Sequence, residues 1–198
     1  MTIHSLYIYD RHCACVYYQD WHRTRRPKPA AEGGLLPGVC AAIPRNSLLS
    51  TSGVVVAVNE ARSPLLPPTA ASATQQPPGV TSTGLPFDEE AKLVYGVIIS
   101  LRNMVKKLSG KDEQFTAYRT SAYRLHLFET ASGYKFVMLS DPATDSLRFV
   151  MRQIYVGPFL DYVVRNPLVA MDSREHGIDN EYFRMAVDRM VRGLSVFQ

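Results

Sequence analysis

Few residues in this chain have the types and spacing that chemistry needs. Cys13-Ala14-Cys15 lies beside His12 and His22, and in a strand its two thiols share one face. Zinc asks for four ligands, normally as two well-spaced pairs. Cys40 stands alone, so no second pair exists, and Cys13 and Cys15 read as two small core cysteines. Ser109-Gly110-Lys111 has the ending of a phosphate loop. The upstream glycine of that motif is Val105 here, and no strand leads into it, so the match fails. His126 sits in the middle of a strand-like run and reads as a satisfied half-buried histidine rather than a general base. The carboxylates are scattered, and G-x-G-x-x-G, G-x-S-x-G and H-E-x-x-H are all missing. The aromatic residues occupy core-like positions without an interleaved basic stripe, so nothing supports base reading. The chain therefore reads as one with no active site of its own, no metal and no cofactor, working through its surface.

The bulk properties agree. The chain has 198 residues, of which 46% are apolar and 20% charged, and a net charge of +4. These values suit a soluble globular protein and demand neither nucleic acid nor membrane as a partner. No run reaches the roughly 18 apolar residues of a membrane span. The first residues, MTIHSLYIYD, lack a basic leader and meet Asp10 and Arg11 too early for a signal peptide. Three cysteines and no N-x-[ST] acceptor point to a reducing, cytosolic compartment.

The elements that must position any working surface start with Asp88 to Leu108. Asp88 is placed to cap a helix, Glu89 and Glu90 follow in the first turn, and Lys106 and Lys107 occupy the last. Gly110 stands where a left-handed C-terminal residue is wanted. Leu93, Val94, Val97, Ile98, Leu101, Met104, Val105 and Leu108 recur at spacings of three and four, which predicts a core-facing stripe. The other side carries Tyr95, Ile99, Arg102, Asn103 and Lys106. Tyr95 and Ile99 are apolar on a side that should be polar. They either pack under a neighbouring element or touch another protein.

Ahead of this helix, Ile3–Tyr9 carries apolar side chains at both parities, as a strand covered on both faces does. Residues 13–19 read as its hairpin partner, with Trp21 closing the element against the core. Between Pro27 and Pro86 lie ten of the thirteen prolines, so 23–85 reads as a disordered insertion. Within it, Val54–Val58 has strand propensity, and the basic run Arg23, Arg25, Arg26 and Lys28 reads as a solvated linker base. After the helix, residues 114–119, 123–129 and 134–140 predict an antiparallel meander, with Thr120-Ser121 as one turn and Gly133 free to take positive φ in the other. A helix opened by Asp141-Pro142 should kink or divide at Gly157-Pro158, and a last helix runs over about 180–193. The order ββαβββαα predicts an α+β fold: a five-stranded antiparallel sheet with helices over both faces.

Taken together, IHSLYIYDRH, CACVYYQDW, AKLVYGVIISLRNMVKKLSG, YRTSAYRLHLFETASGYKFVMLSD and YVVRNPL resemble the Bet-five family, the small longin-like (sedlin-type) subunits of the TRAPP complex, in a fungal form. The resemblance covers 1–22 and about 86–198. It implies the longin (SNARE-like) fold, with sheet order 2-1-5-4-3, one helix on one face and two on the other. It implies a single longin-like domain over 1–198, interrupted at 23–85, where the family has a short connection. It further implies a non-catalytic core subunit of a tether and guanine-nucleotide exchange factor for the Rab GTPase of ER-to-Golgi traffic. The implied partners are a synbindin-like subunit, Bet-three and its relatives, and the Rab through the assembly. The implied location is cytoplasmic, peripheral on cis-Golgi and endoplasmic-reticulum membranes. A longin domain of another trafficking class, an adaptor small chain or a SNARE regulator, is the alternative. No catalytic residue carries over, and Gly157-Pro158 departs from the family pattern.

Overall fold

A computed structural model describes residues 2–22, 25–28, 36, 39, 81–109, 114–169 and 176–194. Its central element is the strand β1 (Ile3–Tyr9), which pairs antiparallel with β2 (Cys15–Asp20) on one side and with β7 (Lys135–Ser140) on the other. β7 pairs with β6 (Arg124–Glu129), and β6 with β5 (Ala117–Arg119), all antiparallel. The sheet order is therefore 2-1-5-4-3 among its five strands, as the resemblance implies.

β1 is apolar at both parities because both of its faces are covered. Tyr7 and Tyr9 face one cluster with Tyr18, Leu125, Leu127 and Val137. Leu6 and Ile8 face the other, with Tyr17, Phe136 and Met138. The long helix α1 (Phe87–Ser109) covers the first face. The second is covered by α2 (Arg148–Ile154), by the π-wound segment Tyr155–Val164 that continues it, and by α3 (Glu181–Arg192).

Local chemistry explains most boundaries. The 130–133 turn closes with Thr130 N–H donating to Tyr134 O at 2.9 Å, and Gly133 takes φ 88°. Thr120 Oγ1 accepts from the amides of Ala122 and Tyr123 in the other turn. Asn180 caps α3, its side chain accepting from Tyr182 and Phe183 amides. Trp21 is half-buried against the core, and its indole N–H donates to Asp188 at 2.8 Å. Gly177 has no room for a side chain. A Cβ there would sit 2.3 Å from Val39 and 2.8 Å from Val16 O, where Ile178 N–H hydrogen-bonds at 2.7 Å.

Several expectations are corrected. α1 starts at Phe87, so Asp88 does not cap it; Asp88 is buried in the first turn and pairs with Lys92 at 3.5 Å. Gly110 lies outside the described residues. Cys13 belongs to the turn rather than to β2, with φ 72° and an exposed side chain, so it is not a core cysteine. The ends of the segment read as disordered hold regular structure. β3 (Arg25–Lys28) and β4 (Thr81–Pro86) form a separate two-stranded parallel sheet, and Leu36 and Val39 pack into the core. Residues 54–58 lie outside the described residues. The helix expected from Asp141 starts instead at Arg148.

The helix does not end at Pro158 but changes winding ahead of it, from α (Arg148–Ile154) to π (Tyr155–Val164). In α-helical winding its ring would press on the carbonyl of Ile154. The winding widens to π from Tyr155, one residue after that carbonyl, and the wider form closes with Arg165 N–H on Leu160 O at 3.0 Å.

α2 has no side-chain cap from its own first residues. His126 takes part of that role. It is 1% exposed, its Nδ1 accepts from Leu147 N–H at 3.4 Å, and its Nε2 lies 2.9 Å from Ser140 Oγ. The amide donor assigns the neutral tautomer with the proton on Nε2. Burial, helped by the neighbouring Arg124 guanidinium, pulls its pKa from 6.5 down to about 4. The expected half-buried histidine is thus fully buried and structural.

This depressed pKa predicts a pH-dependent stability. An unfolded chain takes up the His126 proton below pH 6.5 and the folded chain only near pH 4. The contribution is fully present above pH 6.5 and is lost as pH falls to about 4, a loss of about 3 kcal/mol. Asp141 acts in a lower window. Burial opposes its ionisation, but hydrogen bonds from Thr2 N–H and Oγ1 win and hold it below 3.8. Urea unfolding between pH 7 and pH 4 should show the His126 loss. His126→Asn should start from lower stability at pH 7 and flatten the slope above pH 4.

Candidate functional site

α1 is the element on which the candidate surface rests, and its first turns tie it to β1. Phe87 is fully buried, stacked on Tyr7 with centroids 6.2 Å apart and tilted against Tyr18 at 4.4 Å. Tyr7 Oη donates to Glu90 Oε1 at 2.7 Å, and Tyr9 Oη donates to Ala91 O at 2.8 Å. Burial pushes the Tyr9 phenol well above its usual pKa, so it stays a donor. Further along, Ala91 and Ile98 are buried and Val94 packs against the same cluster.

These ties set the rotation of the helix, and the rotation differs from the expected one. The eight-residue stripe from Leu93 to Leu108 spans about 140° at about 100° per residue. The sheet takes only one edge of it, around Val94 and Ile98. The other edge is left in solvent: Leu93 is 58% exposed, Val97 40%, Met104 49% and Leu108 81%. Four residues expected in the core thus form an outward apolar stripe.

The five residues assigned to the far side divide accordingly. Tyr95 turns inward, its ring 5.3 Å from Tyr9 and its hydroxyl 2.7 Å from Cys13 Sγ, with Lys135 Nζ 5.7 Å from the ring centroid. Burial and the Cys13 contact raise its pKa. Arg102 also leans toward the sheet, pairing with Glu129 at 3.4 Å. Ile99 is half-buried, while Asn103 and Lys106 are exposed. Tyr95 therefore packs within this chain, one of the two possibilities open to it. Arg102 and Lys106 wall a cavity of about 460 Å³ at the open edge of the sheet, with Phe115, Glu129 and Arg148 around it. Three cations face one carboxylate there, so the hollow favours acidic groups.

Other sequence candidates are not brought together. Cys15 is half-buried, and burial pushes its thiol up to about 12, which leaves it inert as a nucleophile. Among the described residues no three His, Cys, Asp or Glu side chains converge as a metal site. No described helix is long and apolar enough to cross a membrane. One apolar region escaped the sequence reading. Phe149 is 70% exposed on α2, Val156 is exposed beyond it, and Tyr162 stacks on Tyr182 at the surface. The spacing of Leu147, Val150, Met151, Ile154, Tyr162 and Val163 predicts one buried stripe, but Tyr162 lies at the surface, because π winding re-aims side chains after Tyr155 and leaves no mark in sequence. The arrangement as a whole offers apolar and basic surface to other proteins.

The profile of the Sybindin-like family matches residues 3–194 of this chain. The chain is 34% identical to Transport protein particle subunit bet5 of Schizosaccharomyces pombe, over 100% of both proteins. It is 29% identical to human Trafficking protein particle complex subunit 1, over 100% of this chain and 97% of that protein. It also shares 34% identity over 53 residues with Trafficking protein particle complex subunit 4 of Bos taurus, 27% of this chain.

The rotation of α1 makes a sharp prediction. Ile98→Asp buries a charge against the sheet and should lower the unfolding free energy by about 4 kcal/mol or more. Leu93→Asp and Leu108→Lys, both facing solvent, should each change it by no more than about 1 kcal/mol, from helix propensity alone. Chemical denaturation of the isolated chain checks this. A large loss for the two leucines would place them in the core.

Proposed function

The chain belongs to the Sybindin-like family, and from that premise we propose that it is a non-catalytic core subunit of the TRAPP complex. The observation that carries this reading is the full-length match to bet5 and to complex subunit 1 of other species. In this role the chain supplies shape rather than reacting groups. It forms a platform with a synbindin-like subunit and contacts Bet-three and its relatives. The assembly acts as a tether and as a guanine-nucleotide exchange factor for the Rab GTPase of ER-to-Golgi traffic. Exchange of this kind needs no acid or base from the subunit, because the nucleotide leaves when the GTPase is held in a form that binds it poorly. The chain works in the cytoplasm, on cis-Golgi and endoplasmic-reticulum membranes, and is held there only through the complex.

Two features support the assignment. Apolar stripes lie exposed on both helical layers, at Leu93 to Leu108 and at Phe149 to Val156. Apolar side chains exposed in a row along a helix suit contacts with other proteins. The basic hollow at Arg102, Lys106 and Arg148 offers charge complementarity to an acidic partner surface.

Tagged protein expressed in its own cells should recover the other small TRAPP subunits, and recovery of none would refute the assignment. In a reconstituted assembly, nucleotide release from the Rab should slow at least about tenfold when this subunit is left out, a loss worth about 1.4 kcal/mol of activation free energy. The isolated chain should release no nucleotide.

A further inference from the structure

The outward stripe of α1 is its own complement. Leu93 and Leu108 are equally far from the point between Ser100 and Leu101, and so are Val97 and Met104. At about 100° per residue, the four side chains fall within an arc of about 60°, and the midpoint points along the centre of that arc. A two-fold axis through this point therefore lays the helix antiparallel on a second copy of itself. Leu93 then meets the second copy's Leu108, and Val97 its Met104. A stripe serving an unrelated surface would not need this symmetry.

Two further observations fit a helix docked here. Gly96 and Ser100 are exposed beside the stripe, and a Cβ built on Gly96 meets nothing within 4 Å. Small residues near a crossing let two helix axes approach to the usual ~8–10 Å. The ends of α1 also carry opposite charge. Glu89 is exposed in the first turn, and Lys106 and Lys107 in the last. An antiparallel pair brings each acidic end toward the partner's basic end, and the helix dipoles also oppose.

We propose that this chain self-associates through the outward stripe of α1, as a two-fold antiparallel helix pair with Leu93 on Leu108 and Val97 on Met104. The proposal does not rest on the complex-subunit reading. Four partly exposed aliphatic side chains fall short of the ~800 Å² per partner of a standard stable interface. The dimer is therefore weak, micromolar or weaker, and yields to any partner that buries more of the same face.

The test is sedimentation equilibrium of the full chain from low micromolar to near-millimolar concentration. The parent should fit a monomer–dimer equilibrium, while Leu93→Glu alone and Leu108→Lys alone should each weaken it at least about tenfold. The symmetry then predicts a rescue. In an equimolar mixture of the two variants, one contact sets the introduced glutamate on the introduced lysine, and the other stays Leu108 on Leu93. Mixed dimers should form with a dissociation constant within about threefold of the parent's. A parent that stays monomeric throughout overturns the proposal. So does a dimer that the single variants leave intact, or one that the mixture fails to restore, since another face or a parallel register then holds it. Circular-dichroism melting confirms that both variants fold. If either does not, Val97→Glu with Met104→Lys poses the same question.

Discussion

Two tyrosine hydroxyls on the central strand set how the first helix lies. Tyr7 and Tyr9 are fully buried, and under α1 their hydroxyls donate to that helix, at Glu90 and at the carbonyl of Ala91. Each such bond contributes about 1 kcal/mol net, but a buried hydroxyl that loses its acceptor costs about 1–3 kcal/mol. Rolling α1 until Leu93 and Leu108 faced the sheet would carry both acceptors away and expose Phe87 and Ile98. The helix keeps its present rotation for that reason, and the apolar stripe left outside is a consequence.

The opposite face of the sheet is held by a different device. There the first turn of α2 rests on a neutral histidine, whose other nitrogen is engaged by Ser140, and Ser140 Oγ in turn donates to Asp141 O. Asp141 reaches back to Thr2 at the start of β1. A polar thread thus crosses strands β6, β7 and β1 where apolar packing alone would fix neither the register nor the helix start. The two layers differ in their sensitivity to acid as a result: the α2 side depends on a histidine that must stay neutral, while under α1 burial pushes the Tyr9 phenol well above its usual pKa.

These two arrangements also divide the surface. At the rotation the tyrosine bonds set, the sheet takes only part of the α1 arc of about 140°, and Leu93, Val97, Met104 and Leu108 stay exposed. The same holds for the helix that continues through Pro158, where π winding turns Val156 outward while Phe159 and Val163 stay in the core. Each layer spends one edge of its apolar surface on the core and presents the other. A subunit that works by being held among other proteins needs such surfaces, and here they arise from the same side-chain periods that build the fold.

The amino-acid sequence by itself determined the order along the chain of the five strands of the main sheet and of the helices that cover it, and the turns at 120–123 and 130–133. Period-two runs and a period-3.6 run are local properties, and Gly133 and Thr120 carry their turn chemistry within four residues. The doubly apolar β1 already implied a sheet covered on both sides, and the resemblance supplied the strand order. Only the tertiary structure decided which edge of the α1 stripe met the sheet. Periodicity says which residues share a face, but the choice of face was made by hydroxyls some eighty positions away, on Tyr7 and Tyr9. Separation along the chain also hid the inward turn of Tyr95 onto Tyr9, the use of His126 to start α2, and the pairing of 25–28 with 81–86. In each case the deciding contact joins residues far apart in the chain, where no local pattern can record it.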